Sequence, residues 1–197
     1  MTTSLRIAVA DDEPEMRDFF EKVLPRFGHQ VVAVAENGAQ LVEHCRRLKP
    51  DLVITDIKMP DLDGIEASMQ ICRERSVPVI LVSAYHDPAL IERAEADHIM
   101  AYLVKPIGLA DLPPAIMIAM RRFSELQALQ KECTDLRQAL TDRKIIEQAK
   151  GLMMKIADID EKEAFRRLQE LASEKNQKLI DAAQSILAVE KALAPRR

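Results

Sequence analysis

Short apolar runs alternate with amphipathic helical patterns through the first part of the chain, and this alternation limits the fold more than any other feature. Five such runs are readable: Ile7–Ala10, Val31–Ala35, Leu52–Thr55, Val79–Val82 and Ala101–Val104. Because each run is continuously apolar, it predicts a strand that is buried on both faces of a parallel sheet. We therefore expect an α/β fold with a five-stranded, doubly wound parallel sheet.

The segments between these runs carry the spacing of helices. Helices are predicted at residues 15–24, 65–75 and 88–96, and another one includes residues 41–48. A further helix begins near residue 109 or 111. Each predicted strand is thus followed by a predicted helix, as a doubly wound sheet requires.

Proline, glycine and charge divide the chain into two parts. Nine of the ten prolines and four of the five glycines lie before residue 115. Residues 1–120 carry 12 basic and 19 acidic side chains, whereas residues 121–197 carry 16 basic and 13 acidic ones. We expect a turn-rich acidic domain that is joined to nearly unbroken, mildly basic helices.

The composition also excludes several classes of protein. No stretch reaches the roughly 18 apolar residues of a transmembrane helix, and the first residues do not form a signal peptide. The three cysteines are far apart and show neither a zinc pattern nor a disulfide framework. We expect a cytoplasmic protein with no membrane contact.

The helical part contains an a/d seam with alternating spacings of three and four residues. Its members are Leu126, Leu129, Cys133, Leu136 and Leu140. A seam of this kind is typical of a two-stranded coiled coil, so we expect these residues to support a homodimer. The alternative is a single amphipathic helix that folds against its own domain.

Beyond Thr141 the pattern predicts three shorter helices and a small all-α domain. The first runs from Asp142 to about Lys155, and the second follows a capping pattern at 160–163 and places Phe165 in the core. The third carries apolar residues from Leu179 onward. The predicted organisation is a first domain at 1–122, a connecting helix at 123–141 and a helical domain at 142–197.

Carboxylates follow two of the predicted strands. Asp11 and Asp12 come directly after the first strand, and Asp56 comes directly after the third. Because the carboxyl ends of parallel strands meet at one edge of a sheet, these carboxylates are expected to converge. They would repel one another unless a cation neutralised them, and Mg²⁺ prefers carboxylate oxygens.

Two further side chains are expected at the same edge. Ser83 ends the fourth strand and Lys105 follows the fifth. A metal ion, an ammonium group and a hydroxyl group around one carboxylate are suited to hold a phosphoryl group on that carboxylate.

In order and spacing, these motifs resemble the receiver domain of two-component response regulators over about residues 4–122. The matching residues are Asp11-Asp12, Asp56 to Gly64, Ser83-Ala84 and Lys105-Pro106. The resemblance implies a flavodoxin-like fold and phosphorylation of Asp56 by a cognate sensor histidine kinase.

The same resemblance assigns roles within the pocket. It implies a Mg²⁺ ion that is held by Asp11, Asp12, Asp56 and the backbone carbonyl of Lys58. Ser83 and Tyr102 would be switch residues, and Lys105 would pair with the phosphoryl group. The peptide bond between Lys105 and Pro106 would be cis.

The last segment resembles the ANTAR domain, an RNA-binding antiterminator module, over about residues 134–190. The matching residues are Arg143, Ile146 to Gly151, Met154, Glu163 to Phe165, Leu168, Ala172 and Ala183. Basic residues that recur at roughly helical spacing could neutralise RNA phosphates, and the candidates are Arg143, Lys144, Lys150 and Lys155. Asn176 and Lys178 are weaker candidates.

Gly151 is a further candidate RNA contact. A glycine inside a helix costs about 1 kcal/mol relative to alanine. Its presence therefore indicates that another backbone approaches closely, either from RNA or from a neighbouring helix.

The resulting hypothesis is a response regulator that binds hairpin RNA in nascent transcripts and prevents termination. Phosphorylation would favour its homodimer. The alternatives are a receiver-controlled regulator that binds a protein partner and one that binds DNA. An enzyme is not expected, because no catalytic constellation is readable outside the acidic pocket.

Overall fold

The computed structural model describes residues 4–84 and 98–193, with side chains described up to residue 189. It divides the chain into two compact units, Met1–Gln127 and Ala128–Arg197. The helix predicted at 88–96 lies outside the described residues.

The first unit is built on a five-stranded parallel sheet with the strand order β2-β1-β3-β4-β5. The strands are β1 (Arg6–Ala10), β2 (Gln30–Ala35), β3 (Leu52–Asp56), β4 (Val79–Ser83) and β5 (Ile99–Val104). The inner strands β1, β3 and β4 are almost entirely buried, as their continuous apolar sequences predict. The doubly wound sheet is thus confirmed.

Helices cover both faces of this sheet. They are α1 (Pro14–Val23), a short 3₁₀ helix (Leu24–Phe27), α2 (Gly38–Leu48), α3 (Gly64–Glu74) and the first part of α4 (Leu112–Ala157). Neighbouring residues of β1 belong to different apolar layers: Ala8 packs with α2 and α3, whereas Val9 packs with α1 and α4. This alternation follows from the two-residue period of a strand.

The start of α3 lies directly against the end of β3, next to Asp56. The Gly64 N–H donates to the carbonyl oxygen of Ile57 at 2.9 Å. A Cβ atom at residue 64 would overlap the backbone carbonyl oxygen of Asp56. The absence of a side chain at Gly64 is therefore what lets α3 begin this close to the acidic edge.

Helix α4 is continuous from Leu112 to Ala157 and contains 46 residues. The separate helix expected to start at Asp142 is therefore wrong, and its residues form the last turns of α4. Neither proline nor glycine occurs between Pro114 and Gly151, so nothing in the sequence interrupts the helical hydrogen bonds. Despite this length, neither α4 nor any other described helix has an apolar stretch that could cross a bilayer.

The second unit packs α5 (Glu161–Glu174) and α6 (Leu179–Leu193) with the last turns of α4. Its buried centre contains mostly alanine, which permits close helix contacts: Ala149, Leu168, Ala172, Ala182 and Ala183. The expected N-cap of α5 is confirmed, because Asp160 Oδ1 accepts a hydrogen bond from the Glu163 N–H at 2.7 Å.

The placement of Phe165 in this core is wrong. Its side chain is 38% exposed. The Lys150 ammonium lies 5.7 Å from the centre of its ring, within the range of a cation–π interaction.

Substituting Gly64 tests the close contact at the acidic edge. Gly64→Ala should lower the stability of the first unit by about 1–3 kcal/mol, because the added methyl group must displace backbone atoms. Gly108→Ala is the matched control, since a Cβ atom there would meet only the flexible side chain of Asp111. Thermal unfolding of both variants measures the effect, and equal midpoints would contradict the assignment.

Candidate functional site

Three carboxylates converge at the carboxyl edge of the sheet. Asp11 and Asp12 follow β1, and Asp56 ends the adjacent strand β3. One carboxylate oxygen from each residue lies within 4.8 Å of the other two. Asp11 and Asp56 are buried, whereas Asp12 is exposed to solvent. The convergence predicted from the strand ends is therefore observed.

The Lys105 ammonium lies between these carboxylates. Its Nζ atom is 3.0 Å from Asp11 Oδ2, 3.2 Å from Asp56 Oδ2 and 3.5 Å from Glu13 Oε2. The backbone N–H of Lys105 donates to the carbonyl oxygen of Ser83 at 2.8 Å, which holds the residue at the end of β5. The following peptide bond to Pro106 is cis, as expected.

Burial dominates the electrostatics of this pocket. Removal from water raises the pKa of Asp11 and that of Asp56, although Lys105 partly counteracts the rise. Burial also opposes the charge of Lys105, but its hydrogen bonds and attraction to both aspartates raise its pKa. The single ammonium group therefore does not offset the cost of burying two carboxylates.

The surroundings of Asp11 Oδ2 indicate whether a metal ion fits in this pocket. Asp11 Oδ2 is buried and has no hydrogen-bond partner among the described residues, although Lys105 Nζ lies 3.0 Å away outside hydrogen-bonding geometry. Such an orphaned oxygen is costly unless another group binds it. Together with Asp12 and Asp56 it offers the hard oxygen ligands that Mg²⁺ prefers, so these three residues fit the ion. Coordination by the carbonyl of Lys58 stays a prediction.

Ser83 and Tyr102 lie on the two strands beyond Asp56. Asp56 pairs in register with Val82 of β4, which places Ser83 beside the pocket edge. Tyr102 lies in β5 and its side chain is 39% exposed, and partial burial raises its pKa. The switch roles of both residues stay predictions.

Several residues that support the pocket were not found from the sequence. The Arg17 guanidinium donates to the carbonyl oxygens of Asp11 and Asp12, each at 2.9 Å. The Glu13 N–H donates to Asp11 Oδ1 at 3.0 Å, and the Thr55 hydroxyl donates to the Asp56 carbonyl oxygen at 3.0 Å. The position of Arg17, in the second turn of the helix that follows the acidic pair, was the only available signal.

The predicted RNA contacts lie in the second unit and differ in exposure. Arg143, Lys144 and Lys155 of α4 are exposed, as are Asn176 and Lys178 between α5 and α6. Lys150 is only 7% exposed, and its Nζ atom lies 2.8 Å from Glu147 Oε1 and 2.7 Å from Glu161 Oε1. All of these contacts stay predictions.

Gly151 is exposed on α4, and a Cβ atom there would meet nothing within 4 Å. Among the described residues, therefore, no neighbouring helix of the same chain accounts for this glycine.

The seam on α4 is largely accessible to solvent. Leu129, Leu136 and Leu140 are 63%, 60% and 69% exposed, and Cys133 is also exposed. Leu126 differs, because it packs against the apolar core of the first unit. All residues at 127–141 are exposed in the described structure, so the seam has no apolar cover within its own unit. The alternative in which the helix folds against its own domain also stays open. Dimerisation stays a prediction.

Comparison with known proteins gives consistent results for both units. Residues 7–117 match the family described as response regulator receiver domain, and residues 134–187 match the family described as ANTAR domain. The transcriptional regulatory protein PdtaR of Mycobacterium tuberculosis is 38% identical over 182 residues, which cover 92% of this chain and 89% of that protein.

Two further relatives each match somewhat more than three fifths of this chain. A positive alginate biosynthesis regulatory protein of Pseudomonas aeruginosa is 32% identical, over 64% of this chain and 52% of that protein. The crystal structure of a response regulator receiver domain protein from Clostridium thermocellum has a TM-score of 0.56 and 28% identity, and it covers 61% of this chain and 98% of that one.

Magnesium should stabilise the first unit against thermal unfolding. At an ion concentration of 100 times Kd the gain is about 2.7 kcal/mol, because the ion binds only the folded carboxylate cluster. The gain should shrink as the pH falls toward the raised pKa of Asp11 and Asp56, since protons then compete with the ion. Asp11→Asn should remove most of it. Asp18→Asn, on an exposed carboxylate of α1, should retain it, and an equal loss in both variants would contradict the site.

Proposed function

Because the chain belongs to the response regulators that join a receiver domain to an ANTAR domain, we propose that phosphorylation of Asp56 controls its binding to hairpin RNA. Bound to a nascent transcript, it would prevent termination. The observation that carries the phosphorylation step is the contact of the buried Asp56 carboxylate with Lys105 at 3.2 Å, beside the orphaned oxygen of Asp11.

The chemistry is transfer of a phosphoryl group from a phosphohistidine of the sensor kinase. An Asp56 carboxylate oxygen attacks the phosphorus, a P–O bond forms and the P–N bond to the histidine breaks. Asp56 Oδ1 accepts a hydrogen bond from the Ile57 N–H at 2.7 Å, which fixes the carboxylate plane, and Oδ2 faces Lys105. The ammonium of Lys105 balances charge on the phosphoryl oxygens, and Mg²⁺, when bound, supplies further charge neutralisation.

The switch would use the side chains next to the pocket. The Ser83 hydroxyl would turn toward the phosphoryl group, and Tyr102 would move inward from its exposed position. These movements would alter the surface around β5 and the start of α4. Phosphorylation acts here by shifting the population between two conformations.

An exposed stripe of α4 supports the RNA-binding part of the proposal. Lys144, Gln148, Gly151 and Lys155 are spaced four, three and four residues apart and are all exposed. The stripe offers two cations for phosphates, an amide for hydrogen bonding and, at Gly151, open space for a close backbone approach. We define these four residues as the basic stripe. Arg143, Asn176 and Lys178 are the additional proposed contacts.

The exposed seam supports a parallel homodimer. With Cys133 at an a position, Glu132 is at g and Arg137 at the next e position. In a parallel, in-register coil these positions face each other across the interface, so that Glu132 of each copy meets Arg137 of the other. This charge complementarity favours a second copy of the chain as the partner of the seam.

The exposed seam also supports a second candidate function, in which α4 captures a different protein. In that case RNA would not bind, and seam substitutions alone would abolish activity. A DNA-binding role is the third candidate, and competition by duplex DNA would identify it. We propose no enzymatic activity. Access to nascent transcripts places the proposed action in the cytoplasm.

Gel-shift binding to RNA with two closely spaced hairpins tests the proposed function. Acetyl phosphate should increase the affinity of the unaltered protein by at least several-fold, because phosphorylation favours the bivalent dimer. Asp56→Ala should lose this response, whereas Asp18→Asn should retain it. Absence of RNA binding in every state would rule out the output, and a full response in Asp56→Ala would rule out the switch.

Oxidative cross-linking tests the dimer. Cys133 is exposed and lies in the seam, whereas Cys45 is buried. Under mild diamide oxidation a disulfide-linked dimer should accumulate faster after acetyl phosphate treatment, and Cys133→Ser should abolish it. Leu136→Lys should weaken the association by burying a charge in the seam. A monomer in sedimentation before and after phosphorylation would contradict the dimer.

A further inference from the structure

Lys150 is enclosed by other groups of its own unit. Its side chain is 9% exposed, and its ammonium contacts Glu147 at 2.8 Å and Glu161 at 2.7 Å. The centre of the Phe165 ring lies 5.7 Å from the ammonium. An ammonium group has three donors. Two of them are used by the Glu147 and Glu161 carboxylates.

A direct contact between Lys150 and an RNA phosphate would break this arrangement. The ammonium would have to leave Glu147 and Glu161, whose side chains are 53% and 67% exposed. Two unpaired carboxylates would then stand close to the incoming phosphates, and like charges repel one another. Lys144 and Lys155 are already exposed and make none of the ion pairs found among the described residues, so they reach phosphates without this loss.

The contacts of Lys150 also connect two helices. Glu147 lies one turn before Lys150 on α4, whereas Glu161 is the first residue of α5. The chain between the helices turns sharply at Asp158, which has a φ of 50°. The ion pair to Glu161 therefore fixes the start of α5 against α4. Lys150 stays cationic, because its hydrogen bonds to Glu147 and Glu161 raise its pKa.

We propose that Lys150 is a positioning residue of the RNA-binding surface. Its ammonium neutralises Glu147 and Glu161 and holds α5 in place, so that the adjacent basic stripe presents uncompensated positive charge to the RNA backbone. RNA touches the basic stripe, and Lys150 acts on it through Glu147, which lies one helical turn from both Lys144 and Gly151. This inference rests on the proposed RNA-binding function.

Chemical reactivity tests the role of Lys150 without any RNA. The full chain is treated briefly with acetic anhydride, and acetylation of each lysine is followed by mass spectrometry. Lys150 should react several-fold more slowly than Lys144 and Lys155. In the double variant Glu147→Gln, Glu161→Gln it should react faster, while Lys144 and Lys155 keep their rates. Equal reactivity of the three lysines in the unaltered protein would overturn the proposal.

Salt dependence then separates positioning from direct contact. Each phosphate contact with single-stranded RNA contributes about 0.7 to the slope of log affinity against log salt concentration. Lys144→Gln and Lys155→Gln should each lower that slope by about this amount. Lys150→Gln should weaken binding and leave the slope unchanged. A slope loss in Lys150→Gln equal to that in Lys144→Gln would overturn the proposal.

Recovery of RNA affinity in a triple variant provides the third test. The triple variant Lys150→Gln, Glu147→Gln, Glu161→Gln removes the ammonium together with the charges it neutralises, so it should regain most of the affinity that Lys150→Gln loses. Circular dichroism confirms that each variant is folded. Failure of the triple variant to recover affinity would contradict the neutralising role. If the unaltered protein binds no RNA, the proposed function fails, whereas the acetylation rates still decide the placement of Lys150.

Discussion

The buried negative charge of Asp11 and Asp56 is the constraint on which the first unit depends. Burying a carboxylate costs free energy unless hydrogen bonds and opposite charges compensate for it. The compensation comes from two separate sources: Lys105 after β5, and the backbone N–H groups of Glu13 and Ile57, which donate to the Asp11 and Asp56 carboxylates. It is incomplete, as the raised pKa of both aspartates indicates. A carboxylate site left in this state favours the binding of a divalent cation.

The second unit uses the same residue types with the opposite result. One lysine again lies between two carboxylates, but Glu147 and Glu161 remain largely exposed whereas Lys150 is buried. Water continues to solvate the carboxylates, and the hydrogen bond from Lys150 lowers the pKa of Glu161. The charges are therefore satisfied within the protein. Burial, and not composition, separates a reactive carboxylate pocket from a structural ion pair.

The sequence predicted the sheet and its acidic edge well, because both depend on local patterns. Continuous apolar runs located each strand to within two residues, and the strand ends identified Asp11, Asp56 and Lys105. The prediction that a new helix starts at Asp142 was wrong. No proline or glycine interrupts the chain there, so α4 continues through this residue. The burial of Lys150 and the exposure of Phe165 could not be predicted. They depend on how α5 packs against α4, and a periodic pattern does not specify which polar group covers an aromatic ring.

The unbroken course of α4 through the second unit fixes an angle as well as a distance. Each residue of a helix advances about 1.5 Å and turns about 100°. The basic stripe is therefore centred about 70° around the axis from the line of Leu129, Leu136 and Leu140, so that it lies beside a paired seam and not within it. Inserting seven residues after Leu140 would preserve this phase, whereas inserting two would rotate the stripe by about 200°. The part of α4 between the seam and the basic stripe can therefore vary in sequence at its solvent-facing positions. Its length can change only by steps, such as seven residues, that keep the angle between the seam and the stripe.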